Sequence, residues 1–199
     1  MSYSSQAPNQ SMNPTAPLRN NFSVFATTPA VAYLFLVRVQ SAMPRKQRSN
    51  EELQDASNHL HYEVWMLSSL AQATASGIAN QGWLTNALLE SFVVHVRGVM
   101  DFLYNDAPQN DDVVAQDFFA SADTWTSVRP GLSELLSKAK KRAGKEIAHL
   151  TYARLAVTPD TKPWPFVAIA NEITSVMKIF LQNVPKEKLG SQWQRDTAP

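Results

Sequence analysis

Lys138, Arg142, Lys145 and His149 recur at steps of four, three and four within KAKKRAGKEIAHLTYAR, Lys138 to Arg154, the densest run of ionisable groups in the chain. On a helix of about 3.6 residues per turn, such steps form one stripe, with Arg142 and His149 about two turns apart on nearly the same bearing. The residue types suit chemistry. An imidazole titrates near neutrality and can take up or release a proton there, while a guanidinium stays charged and matches phosphate oxygens bidentately. Beside this stripe, Leu136, Ala139, Ala143, Ile147 and Leu150 also recur at helical steps and predict the buried face of the same helix.

The pair Arg142-x6-His149 resembles the signature of the HEPN superfamily, small all-helical domains many of whose members are metal-independent ribonucleases. The resemblance implies that His149 exchanges a proton with the RNA 2′-hydroxyl and that Arg142 holds the scissile phosphate. It also implies a homodimer in which both copies of the motif meet at one cleft, no cofactor, and a phage-defence or toxin setting with an antitoxin protein as partner. Lys138 and Lys145, on the same stripe, are then the RNA-binding candidates. The family pattern usually has a polar residue directly after the arginine; this chain has Ala143, which favours binding without cleavage. Tyr152 lies three residues past the histidine, where some HEPN toxins carry a modifiable tyrosine. A reading from another class is a helical interaction module, in which the same stripe meets an acidic partner or simply solvates the protein.

The elements that must position these groups follow from periodicity and punctuation. Asn50 to Ala75 reads as a helix, with Ser49 or Asn50 as cap, Glu51 and Glu52 in the first turn, and Leu53, Leu60, Leu67 and Leu70 on one face. Gly77 and Gly82 punctuate its end, and Trp83 to Tyr104 is the second helix, antiparallel to the first across a short link. Within that helix Glu90 and Arg97, seven apart, share a face and could orient the Arg142 and His149 pair from behind. A short helix over Val113 to Phe119, with Trp125 near it, crosses one end. The third helix is expected from Pro130 to Arg154 and the fourth from Phe166 to Leu181. The fold class is therefore all-α, a four-helix up-and-down bundle with a short extra helix in the second connection. Residues 1–42 are read as a disordered or dispensable extension, 43–185 as the helical domain and 186–199 as a loose tail, with Trp193 the candidate to dock.

Composition bounds the alternatives. A net charge of +1 on 199 residues means that affinity for RNA must come from local clustering, since the chain is no polycation. Without cysteine there are no disulfides and no thiolate metal sites, which fits the cytoplasm. The apolar run Ala30 to Val39 is about half the roughly 20 residues a membrane span requires. With 6 glycines and no matching motif, a phosphate-binding loop or nucleophile elbow has no place. His59 and Glu63 are four apart, but a metal-dependent hydrolase would need His59, His95 and His149 to converge with carboxylates, so no metal site is expected.

Met43 precedes a polar PRKQRSN segment and then a clean helix, and is the expected start of the domain. A chain beginning at Met43 should keep the thermal midpoint of the full chain. A fall of more than a few degrees would show that Ala30 to Val39 stabilises the domain, because about 1 kcal/mol moves the midpoint of a protein this size by about 2–4 °C.

Overall fold

The computed structural model describes residues 45–77, 82–158 and 163–196, so the expectations for residues 1–42 lie outside the described residues. The described part contains α-helices and short 3-10 and π turns, and no strand. Helix α1, Asn50–Ala75, starts where expected: Ser49 Oγ accepts from the Glu52 amide at 3.1 Å, and Glu52 accepts from the Ser49 amide at 2.8 Å. It ends just before Gly77, whose φ of 72° is the left-handed conformation that lets a chain leave a helix without steric cost. Helix α2, Gly82–Tyr104, buries Phe92, Val93, Val96, Val99, Met100 and Leu103. Helix α5, Phe166–Asn183, buries Ile169, Ile173, Val176, Met177 and Phe180. Helices α1, α2 and α5 pack pairwise on one another.

One end of this trio is closed by aromatic side chains. Phe180 is met edge-on by Phe102, Phe118 and Trp125, with ring centroids 5.1, 5.5 and 5.6 Å away. Phe118 comes from a 3-10 turn at Ala115–Phe118 and Trp125 from α3, Ala122–Val128, so the second connection is folded onto the core instead of looping past it. Trp125 stays fully buried because its indole N–H donates to the Leu103 carbonyl at 3.0 Å. Arg45 fastens the same connection from outside, donating to Asp117 at 2.9 Å, to the Asp112 carbonyl at 2.6 Å and to the Gln109 carbonyl.

The third expected helix is shorter than its periodicity indicates. Helix α4 spans Glu134–Arg142, capped by Ser133 Oγ at the Leu136 amide, and packs on α2 and α5. A π turn follows at Ala143–Ala148, and His149 is extended, at φ −126° and ψ 142°. A π turn takes an extra residue per turn, which rotates everything after it off the helical register. Leu136, Ala139 and Ala143 are buried as expected, whereas Leu150 is 91% exposed and does not belong to the core. The carbonyls at this helix end find side-chain donors instead: Thr151 Oγ1 donates to Lys145 at 2.6 Å and Arg154 to Ile147 at 2.9 Å.

In the carboxy-terminal segment Trp193 is docked, and its neighbours come with it. Residues 186–196 are docked on α1 through a 3-10 turn, Lys186–Lys188, and α6, Ser191–Asp196. Ser57, fully buried in α1, joins the two: its hydroxyl accepts from the Gly190 amide at 2.7 Å, and its carbonyl accepts from the Trp193 indole at 2.7 Å. Gly190 lies so close to the Asn58 amide that a side chain there would overlap it. The segment is polar apart from Leu189, Gly190 and Trp193, and Leu189 and Trp193 are the large side chains that it buries. Trp193→Ala should therefore cost about 3 kcal/mol or more and lower the thermal midpoint by roughly 6 °C or more, whereas a loose tail would leave it unchanged.

Candidate functional site

Arg142, at the last position of α4, is held on three sides. Its Nε and Nη2 meet the Glu146 carboxylate at 3.0 and 2.9 Å, Nη1 donates to the Pro163 carbonyl at 3.1 Å, and the guanidinium lies 4.3 Å from the centre of the Trp164 ring. The pair is largely shielded, with side-chain exposures of 23% for Arg142 and 20% for Glu146. Ala143 is fully buried against the core, which fixes the direction in which its neighbour leaves the helix. Thus the arginine of the motif is a bridge between the π turn and the segment that enters α5. Its positive charge is already balanced by Glu146.

His149 stands apart from this arrangement. It is exposed and lies beyond the π turn in extended backbone, so the single helical stripe that periodicity predicts is not formed. Lys145 is exposed on the turn itself, and Lys138, one turn before Arg142, is paired with Glu134 at 2.7 Å on the open surface. That hydrogen bond lowers the Glu134 carboxyl below its ordinary range. Tyr152 is 92% exposed, fully accessible to a modifying enzyme, and flanked by Leu150 and Leu155 at 91% and 82% exposure.

A groove of about 390 Å³ opens beside the bridge, lined by Asn86, Leu89 and Glu90 from α2, Glu146 and Ile147 from the π turn, and Arg154, Val157 and Trp164. Glu90 thus shares a concavity with the carboxylate that holds Arg142, while Arg97 is exposed on α2 and does not line it. The groove presents two carboxylates, one guanidinium and an indole edge. It can accept N–H donors at Glu90 and give hydrogen bonds from Arg154, while Lys138, Lys145 and His149 do not line it.

Glu146 and Trp164 are the residues that sequence reasoning passed over. The i,i+4 spacing of Arg142 and Glu146 was a usable signal, but Trp164, between two prolines, carries no periodicity at all. A further polar pair joins α1 to α2: His95, 8% exposed, is 2.7 Å through Nδ1 from the Glu63 carboxylate. Glu63 is thus the partner of His95 across the two helices. Among the described residues no three His, Asp or Glu side chains converge as metal ligands would, and no helix is long and apolar enough to cross a membrane.

Because Arg142 and Glu146 are shielded and bidentate, a double-mutant cycle of Arg142→Ala and Glu146→Ala should give a coupling energy of about 1 kcal/mol or more in denaturant titrations, little reduced by salt. A coupling near zero would mean that the contact is an ordinary surface ion pair. Comparison of the chain with protein-family models, with curated proteins and with solved structures gave no match.

Proposed function

We propose that this chain is a HEPN-like helical domain that acts on RNA as a homodimer, with α1, α2, α4 and α5 in an up-and-down bundle and with Arg142 and His149 as the functional pair. The observation that carries the reading is the segment after the π turn. It presents an exposed imidazole directly beside Leu150, Tyr152 and Leu155, all more than four-fifths exposed. Large apolar side chains concentrated on a few residues, Leu150 and the short 3-10 turn at Tyr152–Ala156, mark a surface that another chain covers. A two-fold axis through that surface brings two copies of His149 together, with Lys145 nearby on each protomer. An antitoxin would cover the same surface and so compete with pairing.

In this dimer His149 takes the proton of the 2′-hydroxyl as that oxygen bonds to phosphorus, the bond from phosphorus to the 5′-oxygen breaks and the imidazolium returns the proton to the departing oxygen, while Lys138 and Lys145 hold the backbone. Arg142 reaches a phosphate only by exchanging one carboxylate, that of Glu146, for another anion. That occupancy favours a second reading, a non-catalytic module in which Arg142 is purely structural, and Ala143 points the same way.

Wild-type protein incubated with a mixed RNA pool should leave 2′,3′-cyclic phosphate ends, should do so in EDTA, and should spare DNA, which lacks the attacking hydroxyl. His149→Ala should abolish cleavage and keep salt-dependent binding, because a neutral imidazole contributes little to phosphate attraction. Sedimentation should give a dimer at micromolar concentration, and Leu150→Asp with Leu155→Asp should give a monomer without cleavage. An RNA pool that is bound and left intact selects the non-catalytic module; a wild-type monomer removes the dimer.

A further inference from the structure

One face of α2 carries side chains that the fold does not use. Trp83, Ala87, Glu90, Val94 and Arg97 recur at steps of four, three, four and three, which places them on one stripe of the helix. All five are exposed, Trp83 by 71% and Val94 by 62%, while Phe92, Val96, Val99 and Leu103 on the opposite side lie in the core. The charges are the most specific feature of the stripe. Glu90 and Arg97 lie about two turns, or roughly 10 Å, apart along the axis, with Val94 between them. Among the described residues neither makes an ion pair of its own: Asp101, the i,i+4 neighbour of Arg97, is engaged by Lys140 at 3.0 Å.

We propose that this stripe binds the same stripe of a second copy of the chain, with the two α2 helices antiparallel. A two-fold axis at the level of Val94 sets each Glu90 opposite the partner's Arg97, so one sequence supplies both halves of the ion pair and the symmetry makes it twice. A parallel arrangement would set like charges against each other. Val94 meets its own copy at the axis, Ala87 adds no bulk that would hold the backbones apart, and Trp83 reaches over the last turn of the partner's helix. Five residues of one helix bury far less than the roughly 800 Å² per partner of a standard interface, so the contact is weak, with a dissociation constant on the order of 0.1–1 mM. It uses none of Leu150, Tyr152 and Leu155 and is independent of the RNA reading: it joins two monomers or two of the dimers proposed above.

The test compares the full chain at micromolar concentration with the same chain at about 0.5 mM, where a contact below standard size becomes populated. Sedimentation equilibrium should show the mass of the micromolar species rising toward twice its value, and Leu150→Asp with Leu155→Asp should show the same rise. Glu90→Arg and Arg97→Glu should each weaken the association at least about ten-fold, because each sets two pairs of like charges face to face. The two substitutions together should restore it, since the reversed pairs attract as the original ones do. Both side chains are exposed, so all three variants should keep the wild-type thermal midpoint. The chain has no cysteine, which leaves Val94→Cys as a single reactive position: a short bis-maleimide should link two copies of it far more readily than two copies of Gln182→Cys, exposed on α5. No rise in mass at the higher concentration would overturn the proposal. So would a double charge reversal as weak as either single one, or Val94→Cys linking no better than Gln182→Cys. A wild-type monomer at micromolar concentration that still doubles would remove the RNA-linked dimer and leave this contact standing.

Discussion

Phe180 is the point on which most of the fold depends. Its ring is the common neighbour of side chains from α2, from the 3-10 turn in the second connection and from α3, and each of these contacts is edge-on. Edge-to-face pairs contribute about 0.5–1.5 kcal/mol each beyond the apolar area they bury, so a long connection that would otherwise be mobile becomes part of the core. Arg45 adds a polar fastening on the outside of the same connection. The consequence is a rigid end from which α1, α2 and α5 run toward the groove and the motif.

At the other end order is kept by different means. Helix α4 gives out after Arg142, and no long apolar face continues the chain into α5. The π turn is held on one side by Ala143 in the core and on the other by the Arg142 bridge to Glu146, Pro163 and Trp164. A guanidinium suits this role because it can stack on an indole while its edge engages a carboxylate and a carbonyl. The bridge positions the groove that Glu90, Arg154 and Trp164 share, and it also directs His149 and its apolar neighbours outward. Structure and chemistry are therefore coupled at Arg142: any anion that recruits this side chain must compete with the contacts that hold the π turn in place.

Around the motif, Lys138, Lys145 and His149 lie exposed, and the run from Glu134 to Arg154 carries six Lys and Arg against two Glu. With a net charge of +1 on the whole chain, this cluster is a local feature with no long-range field behind it.

The sequence by itself determined the helices that carry their own pattern. In α1 and α5 the apolar residues keep the 3.6 period over many turns. The capping box at Ser49 and Glu52 and the glycine at position 77 mark ends that local hydrogen bonding and backbone sterics dictate without help from elsewhere. Arg142 and Glu146, four apart on the chain, belong to the same class, since an i,i+4 contact is written into helical spacing. Tertiary structure decided the rest. The apolar period runs through Ala143 and Ile147 to Leu150, yet the helix breaks there, because the contacts that hold the π turn come from Trp164 and Pro163, some twenty residues away. The docking of residues 186–196 likewise rests on Ser57 and Trp193, more than 130 residues apart, and on two buried apolar side chains in an otherwise polar stretch. A periodic pattern reports which face of a helix is apolar; where the helix stops, and what a lone tryptophan finds to pack on, is set by distant partners.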